Sequence, residues 1–307
     1  MKSAYITHYG NVDDVVELGE MPKPELQPDE VLIETHSAGV NPVDWKIIEG
    51  YMSAGQTLSE PRRIGYDVSG VITETGSAVT RFKPGDEVFC RVDSSHPGSF
   101  AEYVAVNEGL VAPKPKNIGF TEAAAIPLAS MTAWQGLFEH AQLKAGQKVL
   151  IHAGLGGVGS FAIQFARHAG AQVATTVGPQ SVERAKELGA TWVVDYQNER
   201  FEERLHDFDA VFDTIGGDTQ QRSLTVLKPG GILVSTVGIN APETPGIRLI
   251  AMRMHPEESQ LEEIAGLIES GEVKPVIDRV FTLDEVKEAL LYSHSGHAHG
   301  KIVLRVK

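Results

Sequence analysis

The segment Val149-Leu150-Ile151-His152 runs into Gly154-Leu155-Gly156-Gly157-Val158-Gly159, and a stretch with helical character follows at 158–169. A strand, a Gly-x-Gly-x-x-Gly turn and a helix start, in that order, leave few folds open. Glycines at these places allow a tight turn and let a phosphate approach the backbone closely. The first helical turn adds N–H groups without intrahelical partners and the positive end of the helix dipole. This is how a βαβ unit receives the diphosphate of a dinucleotide. A glycine turn alone is a common feature, and its setting between strand and helix is what makes it specific.

The alternation continues after the turn. Strands are predicted at 148–153, 172–177, 192–194, 210–212 and 231–236, with helices at 158–169, 181–188 and 219–227 between them. That rhythm predicts a parallel sheet covered on both faces. The first 120 residues follow another grammar. Short strands at 31–35, 68–75 and 86–90, punctuated by Gly and Pro, suggest an irregular barrel. Pro113-Lys114-Pro115 acts as a stiff connector, followed by helices at 121–127 and 132–141. The tail has helices at 257–270 and 283–291 and a last strand at 302–306. A chain of 307 residues is long enough for about two domains.

Several function classes are excluded or disfavoured. With 27 Lys and Arg against 41 Asp and Glu, the net charge is −14, which argues against a nucleic-acid surface. An anionic cofactor then needs a locally favourable site. Cys90 is the one cysteine, so there is neither an intramolecular disulfide nor a multi-cysteine zinc site. No run approaches the roughly 18 apolar residues of a membrane span, and the expectation is a cytoplasmic protein with no membrane partner. His294, His297 and His299 read as a polar loop in preference to a metal site.

The end of the second predicted strand bears on the choice of cofactor. A site for NAD usually has an Asp or Glu there, on the ribose 2′-hydroxyl. Here the stretch is Ala174-Thr175-Thr176-Val177-Gly178, with no acid. Hydroxyls such as that of Thr176, backbone N–H groups and Arg184 suit a 2′-phosphate instead, which points to NADPH.

Further segments carry a family resemblance. They are Ala38-Gly39-Val40-Asn41-Pro42-Val43-Asp44, Gly65-Tyr66-Asp67-Val68-Ser69-Gly70, Gly98-Ser99-Phe100-Ala101-Glu102-Tyr103 and Ala124-Ala125-Ile126-Pro127-Leu128. Leu188-Gly189-Ala190, Phe212-Asp213-Thr214-Ile215-Gly216-Gly217 and Gly300-Lys301-Ile302-Val303-Leu304 complete the set. Each is weak alone, but in this order and spacing, over essentially the whole chain, they are jointly specific. The chain resembles the zinc-independent medium-chain dehydrogenases/reductases of the quinone oxidoreductase type, near the alkenal/enone reductases. The resemblance implies an α/β fold in which a Rossmann domain, 122–256, is inserted into a β-rich GroES-like catalytic domain formed by 1–121 and 257–307. It also implies a homodimer paired through the Rossmann sheet edge, around 231–239 and 247–252.

Against zinc-dependent relatives, Asn41 stands where a catalytic Cys would fall, and Gly65-Tyr66-Asp67 replaces a Gly-His-Glu segment. A catalytic zinc needs about three N, S or O protein ligands, and these changes remove at least two. The chemistry implied is hydride transfer from NADPH to a quinone or an α,β-unsaturated carbonyl, a small-molecule acceptor. An enoyl-thioester reductase, or an NADPH-binding sensor with little turnover, is the alternative. By the same resemblance Asn41 and Asp44 belong to the catalytic site. Tyr51 is the candidate proton donor, with Tyr66 or solvent as the alternative. Thr132, Gly154, Gly156, Gly157, Val158, Gly159, Tyr196, Gly238 and Lys301 are expected at the cofactor, beside Thr176 and Arg184. Plain turn chemistry competes for Asn41-Pro42-Val43-Asp44, a solvated helix face for Arg184, and packing at a strand end for Tyr196.

Overall fold

The computed structural model describes residues 1–93 and 98–307. They form two compact units: Met1–Leu128 with Pro256–Gly271 and Pro275–Lys307, and Ala129–His255 with Glu272–Lys274.

The unit that holds the glycine turn is built on a six-stranded parallel sheet. Its spatial order is Trp192–Asp195, Gln172–Val177, Lys148–Ile151, Phe208–Asp213, Leu227–Ser235 and Arg248–Ala251. The first strand in sequence lies inside the sheet, and successive strands are added first to one side of it and then to the other. The order therefore reverses beside Lys148–Ile151, where loops at the carboxyl ends of the strands diverge and a ligand fits. Helices Gly157–His168, Val182–Leu188, Phe201–Arg204 and Gly217–Ser223 lie in the connections. Val149, Leu150 and Ile151 have no exposure at all, as expected for a strand covered on both faces.

Two glutamines in this unit each bond both backbone groups of a residue far along the chain. Gln135 donates to the carbonyl of His255 at 2.8 Å and accepts from its N–H at 3.1 Å. Gln164 does the same with Lys274, at 3.0 and 2.9 Å. The helix expected at 132–141 is instead an α-helix, Pro127–Trp134, that widens into a π-helical turn over Gln135–His140. Gly136 accounts for the close packing there. A Cβ on it would lie 2.4 Å from the Phe212 ring.

The other unit carries a seven-stranded sheet among the described residues. Ile277–Thr282, Lys301–Arg305, Glu30–Val40, Asp67–Thr75, Glu87–Arg91 and Val111–Pro113 follow one another, and Tyr103–Asn107 also pairs with Glu30–Val40. A small sheet of Val16–Glu20, Lys2–Ile6 and Arg62–Arg63 completes it. The strand expected at 31–35 extends to Val40. Ser37, Ala38 and Gly39 have weak strand propensity, yet they pair with the last strand on one side and with 67–69 on the other. Small size is what this position demands, because a Cβ on Gly39 would lie 2.3 Å from the Ala124 carbonyl oxygen. Cys90 sits in the core on Glu87–Arg91 with no exposure. Burial, and the charge of Asp67, push its thiol well above the usual range. Among the described residues no helix is long and apolar enough to cross a membrane.

Candidate functional site

The three glycines of the turn are required for different reasons. A Cβ on Gly154 would lie 2.0 Å from Thr175 Oγ1, and one on Gly159 would lie 2.2 Å from the Ala153 carbonyl oxygen. Packing within the protein demands both. Gly156 differs. Its φ of −69° and ψ of 172° suit any residue, and the nearest atom to a Cβ would be the Ala153 oxygen at 3.2 Å. Neither its backbone nor its protein neighbours strictly require glycine. What a side chain at Gly156 would fill is the cradle in front of the helix Gly157–His168, whose first-turn amides, those of Gly157, Val158 and Gly159, lack intrahelical partners. The turn therefore fits a diphosphate.

Behind the turn stands a buried histidine that sequence reasoning missed. His152 has no exposure and lies between Thr176 Oγ1 at 3.0 Å and Ser223 Oγ at 2.8 Å. The Ser223 hydroxyl donates to the Thr219 carbonyl at 2.6 Å, so it accepts from His152 Nε2–H. Nδ1 is then the acceptor for the Thr176 hydroxyl. Thr176 Oγ1 also receives the Ala153 N–H at 3.4 Å. Ala153 has a φ of 52°, an unfavourable conformation for alanine, and this network braces it. Thr176 thus faces the interior, in contact with the residue that precedes the turn.

Burial lowers the His152 pKa to about 4. The native protein therefore binds fewer protons than the unfolded chain below the ordinary value of 6.5. The resulting stability is present above that value and is lost as pH falls towards about 4, an expected cost of about 3 kcal/mol by pH 4. Denaturant titrations at neutral pH and near pH 4 should show a His152→Gln variant losing less stability on acidification than the native sequence, by about that amount. Equal losses would mean that His152 does not control the acid response.

At the end of the second strand, Val177 pairs with Asp195, and the Tyr196 N–H bonds the Val177 carbonyl at 3.1 Å. The Asp195 carboxylate is occupied by its own turn, by the Gln197 N–H at 3.0 Å and Asn198 Nδ2 at 2.6 Å. Tyr196 is 61% exposed. Arg184 lies exposed on Val182–Leu188 and forms no ion pair among the described residues. Thr132 is buried in Pro127–Trp134. Gly238 has a φ of 88°, and its carbonyl accepts from Gln220 Nε2 at 2.9 Å.

The loops beside Gly216 and Gly238 are held by Asp213, a second residue that sequence reasoning passed over as a role. Its buried Oδ1 accepts the N–H groups of Ile215 and Gly216, both at 2.9 Å. Oδ2 accepts from Gln220 Nε2 at 2.7 Å and Ser235 Oγ at 2.9 Å. The available signal was an Asp at a strand end followed by two glycines, a pattern in which the carboxylate turns back to bond the loop amides.

In the other unit, Asn41, Asp44, Tyr66 and Lys301 gather in one buried cluster with Asp67. The Asn41 N–H donates to Asp44 Oδ2 at 2.6 Å, which caps the helix Pro42–Ile48. Asn41 Nδ2 donates to Asp67 Oδ2 at 2.9 Å, while Asn41 Oδ1 accepts from the Lys301 ammonium. Burial pushes Asp44 up to about 8, opposed by the Asn41 N–H and reinforced by the nearby Asp67 charge. Asp44 Oδ1 is buried with no hydrogen-bond partner among the described residues. Tyr66 is 2% exposed, its hydroxyl 3.5 Å from Arg62, and burial raises its pKa. Tyr51 does not join this cluster. It is 73% exposed and stands edge-on to Trp45. His294 stacks edge-on against Trp45, with Nε2 at 3.6 Å from Glu49.

Known proteins share this arrangement over nearly the whole chain. Residues 27–116 match the alcohol dehydrogenase GroES-like domain, and 188–304 match the zinc-binding dehydrogenase family model. A 2-methylene-furan-3-one reductase of Solanum lycopersicum is 40% identical, covering 99% of this chain and 79% of the relative. An NADPH-dependent alkenal/one oxidoreductase, chloroplastic, of Arabidopsis thaliana is 38% identical with the same coverage. The solved quinone oxidoreductase of Coxiella burnetii superposes with a TM-score of 0.90 at 31% identity, covering 100% of this chain and 99% of the other. A parallel sheet in the order described, a GroES-like unit and likeness to both quinone and alkenal/one oxidoreductases lead to one assignment: the chain belongs to the medium-chain dehydrogenase/reductase family, among its quinone oxidoreductases.

Proposed function

We propose that this oxidoreductase reduces quinones or α,β-unsaturated carbonyls with NADPH and without zinc. The observation that carries the reading is Gly156, a glycine in extended backbone whose missing side chain leaves space in front of a helix N-terminus. NADPH is the cofactor, as in the name of the Arabidopsis relative. The second strand ends in Val177-Gly178 with no acid, and Asp195, which pairs with Val177 from the neighbouring strand, has its carboxylate committed to its own turn. When bound, NADPH supplies a hydride. The amides of Gly157, Val158 and Gly159 hold its diphosphate. Arg184, with Tyr196 beside it in the proposal, takes the 2′-phosphate end, and Thr132 and Gly238 border the remainder.

Zinc independence rests on the chemistry of the donor set. Of the two positions that resemblance gives to metal ligands, Asn41 already has its amide oxygen on the Lys301 ammonium, and Tyr66 offers a buried phenol with its hydroxyl beside Arg62. Asn41 and Asp44 shape the acceptor side. Tyr51, the more exposed of the two tyrosines, delivers the proton ahead of Tyr66. The reading takes the enzyme to be cytoplasmic and homodimeric. Arg248–Ala251, one of the two edges of the parallel sheet, is the strand taken to pair with a second copy.

The test is NADPH and NADH oxidation followed against quinones, alkenals and enones. Turnover with NADPH, favoured over NADH by about tenfold or more in kcat/KM, is the expected result. A preference for NADH, or turnover confined to acyl thioesters, would overturn the reading.

A further inference from the structure

Lys301 is 3% exposed, and its ammonium faces three oxygens of its own unit. It donates to the Val40 carbonyl at 3.1 Å and to Asn41 Oδ1, and it lies 3.6 Å from Asp67 Oδ2. Asp67 has no exposure. Its Oδ1 accepts the N–H of Leu128 at 3.0 Å, at the residue where the chain leaves this unit. One cation thus links the end of Glu30–Val40, the start of Asp67–Thr75 and the start of Lys301–Arg305. Gly300 brings it there. Its φ is 145°, and a Cβ on it would lie 2.7 Å from the Val276 carbonyl oxygen.

The charges also decide which way the Asn41 amide faces. Its oxygen meets an ammonium and its nitrogen meets a carboxylate, so each end has a charge-assisted partner and the flipped amide would face like against like. Without the ammonium, the buried Asp67 would lose its larger counter-charge, keeping only the weaker pull of Arg91, and would take up a proton more readily. A protonated Asp67 offers an O–H where Asn41 Nδ2 needs an acceptor, and the amide loses its fixed orientation.

We infer that Lys301 is a positioning residue of the proposed reaction, a built-in cation that holds Asn41 and Asp67 in a single arrangement. This rests on the reduction proposed above, and it differs from the role of cofactor contact that resemblance gives to Lys301. The ammonium supplies in situ a fixed positive charge on oxygens, and no metal ion is needed to organise them.

The test compares the native chain with Lys301→Met and with the double variant Lys301→Met/Asp67→Asn. NADPH affinity is read by fluorescence, kcat and KM by enone reduction, and Tm by thermal unfolding. Hydrogen exchange of the Asn41 side-chain amide is read by NMR after selective labelling of the six asparagines. In Lys301→Met, NADPH affinity should stay within about twofold, kcat should fall about tenfold, and Asn41 amide exchange should quicken by about tenfold or more. The double variant, which removes the unpaired carboxylate, should regain Tm but not kcat. If Lys301→Met fails to fold, the double variant carries the comparison with the native chain.

NADPH affinity weakened by about tenfold at unchanged kcat would make Lys301 a cofactor contact and overturn the inference. Recovery of kcat together with Tm would reduce Lys301 to a purely structural role and would also overturn it. A native chain that reduces no quinone or enone would instead overturn the proposed function. In that case the exchange of the Asn41 amide still decides whether Lys301 fixes it.

Discussion

Replacement of Gly156 by valine is expected to weaken NADPH binding by about a hundredfold or more while the protein stays folded, about 2.7 kcal/mol of binding free energy. Valine accepts the extended backbone at this position, with φ −69° and ψ 172°. Its Cβ meets the Ala153 oxygen at 3.2 Å and the Ala153 Cβ at 4.0 Å, and the closer contact is relieved by a shift of a few tenths of an ångström. The branched side chain then occupies the space through which a diphosphate reaches the amides of the helix Gly157–His168. Gly159→Ala is the informative contrast. Its Cβ would lie 2.2 Å from the Ala153 oxygen and 2.8 Å from Gly154 Cα, so the turn itself must move and stability falls along with affinity, by about 1–3 kcal/mol. Cofactor titration by fluorescence together with denaturant unfolding separates the two. A Gly156→Val protein that binds NADPH normally would remove the turn from the cofactor site.

Asp213→Ala is expected to be the most damaging single change to stability, about 4 kcal/mol, with the thermal midpoint lower by roughly 10 °C. Four donors lose their acceptor at once: the amides of Ile215 and Gly216, Gln220 Nε2 and Ser235 Oγ. Each unmet buried donor costs about 1–3 kcal/mol, and some of that is recovered because Gln220 keeps the Gly238 carbonyl. Asp213→Asn retains an acceptor oxygen and should lose about half as much. Chemical denaturation of the two variants checks the ranking. Similar, small losses in both would show that the loop at 214–217 finds its partners without Asp213.

The glycine turn and the parallel sheet were legible because their signals are local. Glycine spacing records backbone approach, and an apolar run between turn residues records a strand covered on both faces. The extension of Glu30–Val40 through Ser37, Ala38 and Gly39 was not legible. Its cause is pairing with Lys301–Arg305, more than 260 positions along the chain, and with 67–69, and local propensity points the other way. The same limit applies to the buried cluster. Resemblance points to Asn41 and Asp44 within one short segment, but the Lys301 ammonium arrives from 260 residues away. His152 reads as a strand residue. Only the sheet register, which sets Thr175 beside Ile151 and Thr176 one residue further on, brings it against the Thr176 hydroxyl. Asp213 lies in the segment 212–217 that carries part of the resemblance, but the four bonds that define its role belong to the folded loop.

Quinones and conjugated carbonyls are soft electrophiles that add to thiolates. An enzyme that turns them over meets them at every cycle, and a reactive thiol would be alkylated in time. Cys90 answers this through its place in the core of a β-sheet, with no exposed surface and a thiol held protonated by burial. The proposed chemistry can thus proceed in a chain whose one cysteine is both out of reach and non-nucleophilic, a tolerance of its own substrates that belongs to the fold and not to the active-site residues.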